Sequence, residues 1–160
     1  MLKTLALAAA IALAACSTKH VTLGGKVKFK GDAKENYDAG MELLHDKSFP
    51  ESQKFFEFVK TKFPFSKYAA LADLRLADAK FKQERYLEAA EAYQAFSQLH
   101  PTHEEADYAD FRAALSHFKD APSDFLLFPS AAEKDQRQLR TAVERLRAFL
   151  AARPDSKHKA

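Results

Sequence analysis

A helical apolar pattern that recurs as paired segments constrains the fold of this sequence more than any other feature. From residue 33 onward, Tyr37, Met41 and Leu44 fall at positions i, i+4 and i+7, which places them on one stripe of a helix. A polar turn at residues 46–48 follows, and a second apolar stripe then contains Phe55, Phe56, Val59 and Phe63. Two helices joined by so short a turn form a helical hairpin, and Pro50 suits the first turn of the second helix.

The hairpin pattern recurs along the chain. Pro64 and Pro101, which each end a second helix, lie 37 residues apart, close to the period of about 34 residues in tetratricopeptide repeats. Ser66 can cap the first helix of the second hairpin. Small residues stand at matching positions where paired helices approach closely: Gly40 and Ala77 in first helices, Ser52 and Ala89 in second helices. The matched spacing favours a repeat array over the alternative, a non-repeating helical bundle.

A third hairpin is predicted after Pro101, with Thr102 and Glu105 as a capping box for its first helix. Its second helix is predicted from about residue 133 to 152. Pro154, which closes this helix, lies 53 residues after Pro101, and the excess over the 37-residue period falls in residues 120–132. The predicted fold is all-α, a tetratricopeptide-repeat-like superhelix of stacked helical hairpins. It covers residues 33–157, with repeats at about 33–64, 65–101 and 102–154 and an apolar quartet, residues 125–128, expected to pack against its own domain.

Composition supports helices and argues against several classes of function. Only 4 glycines and 6 prolines occur among 160 residues, and both residue types are unfavourable inside helices. The formal net charge is +3 with both signs mixed along the chain, so a nucleic-acid-binding surface is not indicated. The sequence contains no nucleophile-elbow or phosphate-loop motif, so we expect no enzymatic activity.

The histidines do not indicate a metal site. His100 and His103 flank a Pro-Thr pair with no clear third ligand, while His103 and His117 lie fourteen residues apart, too far along a helix to share one ion. Turn and capping roles are the simpler interpretation of these side chains. We expect no metal and no cofactor other than a covalent lipid.

Residues 1–15 have the organisation of a secretory signal peptide. Lys3 precedes an apolar run from Leu5 to Leu13, which is shorter than the roughly 20 residues of a transmembrane helix and has the length of a signal h-region. The sequence Leu-Ala-Ala-Cys at residues 13–16 resembles the lipobox of bacterial lipoproteins. That resemblance implies cleavage before Cys16 and attachment of acyl chains to it, which anchor a protein firmly when several are present. An ordinary secretory signal that happens to contain a cysteine is the alternative.

The residues after Cys16 indicate a destination and a tether. In lipoproteins of the enteric type, Asp at the position of Ser17 retains the protein at the inner membrane, so Ser17 indicates the outer membrane. Residues 16–32 contain three of the four glycines and no helical periodicity, which predicts a flexible lipid-anchored linker. Residues 27–30 alternate in polarity and could instead form an extended strand.

Two motifs resemble the BamD (ComL) family of outer-membrane assembly lipoproteins. Residues 63–68, Phe-Pro-Phe-Ser-Lys-Tyr, resemble the Tyr-Pro-Phe-x-x-Tyr opening of that family's second repeat. Residues 100–108, which contain His-Pro-Thr-His and Asp107-Tyr108, resemble its Asn-Pro-Thr-His-Pro-x-x-Asp-Tyr. The long loop inside the third repeat is also similar. The family typically has five repeats, so this sequence resembles either a short form with about three or a fragment.

The resemblance implies a non-catalytic role in the β-barrel assembly machinery, on the periplasmic face of the outer membrane. The partners it implies are the BamA subunit, other Bam lipoproteins, and extended segments of unfolded outer-membrane proteins. In that family the contact with BamA is made largely by the later repeats. First helices of stacked hairpins line a concave groove, and aromatic side chains make strong contacts with peptides. The candidate groove residues are Tyr37, Met41, Leu74, Phe81, Tyr108 and Phe111.

Two alternatives stay open at this point. Each candidate groove residue could instead pack between helices without contacting a ligand. The whole protein could be a generic tetratricopeptide-repeat lipoprotein that serves as a scaffold in cell-envelope division, secretion or pilus assembly.

Overall fold

The computed structural model describes residues 27–121 and 136–158, and all regular structure within these ranges is α-helical. The helices are α1 (Ala33–His45), α2 (Phe49–Lys62), α3 (Lys67–Lys82), α4 (Tyr86–Leu99), α5 (Ala106–Asp120) and α6 (Arg137–Ala152). Each helix packs against the next in sequence, and α1 also packs against α3. The prediction of an all-α fold of stacked hairpins is confirmed. None of the described helices combines the length and the apolar character needed to cross a bilayer.

The turns inside the first two hairpins have the same backbone geometry. Lys47 and Glu84, 37 residues apart, both adopt left-handed conformations, with φ of 60° and 61°. The Lys47 N–H donates to the Leu44 carbonyl at 3.3 Å, and the Glu84 N–H donates to the Phe81 carbonyl at 3.0 Å. The 37-residue period of the sequence is therefore also a period of the backbone.

The second helices also end alike. The N–H groups of Phe63, His100 and Arg153 donate to carbonyls four residues earlier, at 2.8–2.9 Å. Each of these residues precedes a proline, and a residue before proline is disfavoured in the helical region. The prolines thus end α2, α4 and α6 at equivalent points of their repeats. The interval from Pro101 to Pro154 is longer than that from Pro64 to Pro101 because the third hairpin contains an inserted segment.

The core is shared between neighbouring hairpins rather than enclosed within each one. Phe56 and Val59 of α2 pack with Leu76 and other residues of α3 in one cluster. Leu74 and Ala77, also on α3, pack with Tyr93 and Phe96 of α4 and with α5 in a second cluster. Helix α3 is therefore buried on two sides, which is how a repeat array propagates its core from one unit to the next.

Gly40 allows α1 and α2 to approach closely. A Cβ added to Gly40 would lie 2.7 Å from the Phe56 ring, and Phe56 is fully buried. The ring cannot retreat without disturbing the first core cluster. The small residue predicted at this position thus has a direct steric cause.

Replacing Gly40 with alanine is expected to lower the free energy of unfolding by about 1–3 kcal/mol, because overpacking outweighs the better helix propensity of alanine. Gly31→Ala is the matched control, since an added Cβ there meets nothing within 4 Å. Thermal unfolding of both variants checks this. Equal melting temperatures for the two variants would contradict the steric explanation.

The first described residues correct the predicted linker. The Phe29 ring stacks on Phe58 at a centroid distance of 4.0 Å. The Lys30 N–H donates to the Asn36 side-chain oxygen at 2.8 Å, and the Asn36 amide returns a hydrogen bond to the Lys30 carbonyl at 2.9 Å. Residues 29–32 are therefore held on the domain and residues 27–30 form no strand, whereas the prediction made all of residues 16–32 a flexible linker. The signal segment, Cys16, the rest of the linker and the apolar quartet at 125–128 lie outside the described residues.

The helix starts were predicted with mixed success. Pro50 lies in the first turn of α2, and the Ser66 hydroxyl accepts from the Tyr68 N–H at 3.1 Å, both as predicted. The capping box at Thr102 is wrong, because α5 begins only at Ala106. His103 Nδ1 accepts the Glu105 N–H at 3.0 Å instead, so this histidine satisfies the turn before the helix.

Candidate functional site

The first helices α1, α3 and α5 share one face on which most of the predicted groove residues lie. Five of them are half-buried on it: Tyr37, Met41, Phe81, Tyr108 and Phe111. Leu74 is the exception and corrects the prediction. It is fully buried in the second core cluster, so it cannot contact a ligand and its role is packing.

Asp78 is the centre of a hydrogen-bond network on this face, which we call the first-helix face. Its carboxylate Oδ1 accepts from the Tyr93 hydroxyl at 2.6 Å and from the Tyr108 hydroxyl at 2.8 Å, and Oδ2 accepts from Arg75. The Asp78 side chain is only 7% exposed. One buried carboxylate therefore joins α3 to both α4 and α5.

Arg75 extends the network to the first hairpin. Its Nε donates to the Tyr37 hydroxyl at 3.1 Å, and its Nη2 lies 3.8 Å from the Glu105 carboxylate. Burial alone would lower the pKa of Arg75, but the adjacent Asp78 and the bond to Tyr37 raise it above its usual value. The guanidinium is thus a permanent cation that connects all three first helices.

Arg112 provides a second cation on the same face. Its guanidinium carbon lies 3.7 Å from the centre of the Phe81 ring and 5.6 Å from that of Tyr108, which is cation–π geometry. Its Nε donates to the Tyr93 hydroxyl at 3.2 Å. Within the described part of the chain no carboxylate forms an ion pair with Arg112, so its remaining donors are available to an acceptor on a ligand.

The two tyrosine hydroxyls are held in the protonated form. Burial and then the charge of Asp78 raise the pKa of Tyr108 to about 12. Burial and then Asp78 also raise the pKa of Tyr93. Both hydroxyls therefore donate to Asp78 at any physiological pH and keep their rings in fixed positions. The face combines rigid aromatic rings with a partly free guanidinium, which suits an extended peptide that offers apolar side chains and carbonyl groups.

Comparison with known proteins identifies the family to which this helical-repeat chain belongs. A sequence profile of the YfiO family, described as outer membrane lipoproteins, matches residues 30–160. The chain belongs to this family. The resemblance to BamD that was drawn from residues 63–68 and 100–108 is thereby confirmed.

The curated relatives of this YfiO-family chain are named outer membrane protein assembly factor BamD. The protein from Neisseria meningitidis serogroup A is 26% identical over 153 residues, which are 94% of this chain and 57% of that protein. The one from Neisseria gonorrhoeae is 25% identical over 153 residues, again 94% of this chain and 57% of that protein. The one from Pasteurella multocida is 27% identical over 108 residues, 68% of this chain and 39% of that protein. The chain thus spans little more than half the length of its neisserial relatives.

The last described residues contact the same face of the YfiO-family domain. The His158 ring stacks on Phe111 at 5.3 Å, and the His158 N–H donates to the Ser156 hydroxyl at 3.0 Å. This repeats the arrangement at the start of α3, where Ser66 accepts from the Tyr68 N–H and the Tyr68 ring lies 5.4 Å from Tyr37. Tyr37 and Phe111 therefore each pack against an aromatic ring that lies four residues after a proline, Pro64 or Pro154.

Sequence reasoning missed the charged members of the network. Arg75, Asp78 and Arg112 were not among the candidate groove residues, although they hold the face together. A signal was present, because Arg75 and Arg112 lie 37 residues apart and each precedes a small residue, Ala77 or Ala114, by two positions. A charge that recurs beside the closest helix contact of a repeat indicates a structural or binding role.

Proposed function

We propose that this protein is a non-catalytic factor in outer-membrane protein assembly, and that its first-helix face binds extended, aromatic-rich segments of unfolded outer-membrane proteins. Membership of a family of outer membrane lipoproteins and the names of its relatives support the first part. The observation that carries the second part is Arg112, whose guanidinium lies against Phe81 with donors left over. Such a surface can hold an aromatic side chain and a peptide carbonyl side by side.

The proposed location follows from the amino-terminal residues. Acylated Cys16 would anchor the chain in the outer membrane, with the repeat domain on the periplasmic side. BamA and other Bam lipoproteins are the proposed partner subunits. Labelling cells with a radioactive fatty acid and comparing the wild type with Cys16→Ser tests the anchor: label should be present in the wild type only.

Arg112→Ala tests the peptide site. The probe is a fluorescent ten-residue peptide of alternating aromatic and polar residues, and its binding to the full chain is followed by fluorescence anisotropy. We expect about tenfold weaker binding, which corresponds to about 1.4 kcal/mol and is in the range of a partly desolvated cation–π contact. A peptide with serine in place of every aromatic residue should bind neither protein.

Arg145→Ala is the matched control, since among the described residues Arg145 donates only to the Gln94 side-chain oxygen, at 3.1 Å on an exposed surface. An equal loss of affinity in both variants, or equal binding of the aromatic and serine peptides, would contradict the proposed site. A pull-down of the lipidated protein separates the assembly role from a generic scaffold. Recovery of BamA supports assembly, whereas recovery of only division, secretion or pilus proteins would favour the scaffold.

A further inference from the structure

A second groove lies on the opposite side of α3, between the second helices α2 and α4. Asp73, Leu76 and Lys80 of α3 line it. Residues two positions apart on a helix point about 200° away from each other, so Asp73 faces this groove whereas Arg75 faces the first-helix network. The groove, which we call the second-helix groove, has a volume of about 960 Å³.

The second-helix groove is apolar in its interior. Phe58, Leu76 and Phe96 line it, and Leu99 at its edge is 72% exposed. The helices α2 and α4 that form its walls have 14 residues each, which gives a trough of about 21 Å. An apolar trough between two helices is the shape that accepts the apolar face of a third helix.

The charges around the groove are mostly positive. Lys54, Lys60, Lys62, Lys80 and Arg85 line it, against two acidic residues, Glu57 and Asp73. Lys60 is neutralised by Asp73 at 2.5 Å. Lys54, Lys62 and Lys80 form no ion pair within the described ranges. An occupant with carboxylates along its edges would pair with these three ammonium groups.

We propose that the second-helix groove docks an acidic amphipathic helix of a partner protein. Leucine or phenylalanine side chains of that helix contact the exposed apolar residues of the groove, Phe29 and Leu99, and its flanking glutamates or aspartates pair with the lysines of the rim. A flat anionic membrane offers the same charge, but a flat surface does not fill a trough of about 960 Å³. The occupant is therefore a helix and not a bilayer surface.

The probe for this docking is a fluorescent 18-residue peptide with leucine or phenylalanine at i, i+3, i+4 and i+7 and glutamate at most other positions. Fluorescence anisotropy at low ionic strength measures its binding to the full chain. The triple variant Lys54→Glu, Lys62→Glu, Lys80→Glu is expected to bind at least tenfold more weakly. Leu99→Glu, which changes an exposed side chain, is expected to weaken binding severalfold without affecting the fold.

The triple variant Lys119→Glu, Arg140→Glu, Arg147→Glu is the matched control, because it makes the same change in net charge at exposed sites on α5 and α6. An equal loss of binding in the control, or no effect of Leu99→Glu, would overturn the proposal. So would rim-dependent binding to phosphatidylglycerol vesicles without binding to the peptide. Arg112→Ala should leave binding of the acidic helix unchanged, so that failure here is distinct from failure of the first-helix site.

Discussion

Replacing Asp78 with alanine is expected to lower the free energy of unfolding by about 3–5 kcal/mol, because it removes one partner of a buried ion pair. The change leaves the Arg75 guanidinium, only 16% exposed, without its closest counter-ion. It also deprives the hydroxyls of Tyr93 and Tyr108 of their common acceptor. Chemical denaturation monitored by circular dichroism measures the loss.

Asp73→Ala is the matched control for Asp78→Ala. It removes the same side chain from the same helix, but the Asp73 carboxylate is 34% exposed and pairs with a 33% exposed Lys60, so we expect a change of about 0–1 kcal/mol. A second comparison separates the cost of leaving the Arg75 charge without a counter-ion from the cost of the lost hydrogen bonds. Arg75→Met in the Asp78→Ala background should recover part of the stability, and a further loss in the double variant would show that the network does not act as described.

The same network shows what the sequence could and could not predict. The helical stripes, the 37-residue spacing and the small residues Gly40 and Ala77 are local or periodic, and they predicted the hairpins. The contacts of Asp78 join residues 15 and 30 positions away, and no periodicity in a single sequence indicates which hydroxyls converge on a carboxylate. Placing Asp78 at the centre required the packing of three helices.

The error at Leu74 has a related cause. Tyr37, Leu74 and Phe111 occupy the same position in successive repeats. That position packs against the next first helix or, for Phe111, against the turn after α6. In the middle repeat the side chain is fully buried, because Leu74 belongs to the same core cluster as Ala109 and Ala113 of α5. An apolar stripe on a first helix therefore mixes residues that join repeats with residues that face a ligand, and the pattern alone does not separate them.

The error at Thr102 and Glu105 arose from competition between two ways of starting a helix. A capping box needs the serine or threonine to stand at the helix boundary. Here residues 101–105 form turns, and the His103 ring accepts the Glu105 N–H that the Thr102 hydroxyl would accept in a capping box. His103 also lies edge-on to Phe96 at 5.4 Å. The turn is thus stabilised by packing on α4, which the sequence pattern did not reveal.

Replacing Phe56 with alanine is expected to lower the free energy of unfolding by about 3–5 kcal/mol, because Phe56 is fully buried and its removal leaves a cavity. The ring contacts Gly40 and lies 5.8 Å from the Tyr37 ring, so α1 loses its main apolar partner on α2. Repeat arrays are stabilised by contacts between neighbours, and the loss should therefore be uneven along the chain. Amide hydrogen exchange is expected to accelerate most in α1 and α2, and less in α5.

Phe65→Ala is the matched control for Phe56→Ala, since it removes an identical side chain that is fully exposed in the turn before α3. We expect a change within about 0.5 kcal/mol for an exposed site. Urea denaturation gives the stabilities, and hydrogen exchange gives their distribution. A uniform rise in exchange across all helices would mean that the three hairpins unfold as one unit. In that case the Asp78 network, which joins α3 to α4 and α5, couples the repeats more strongly than packing between neighbours does.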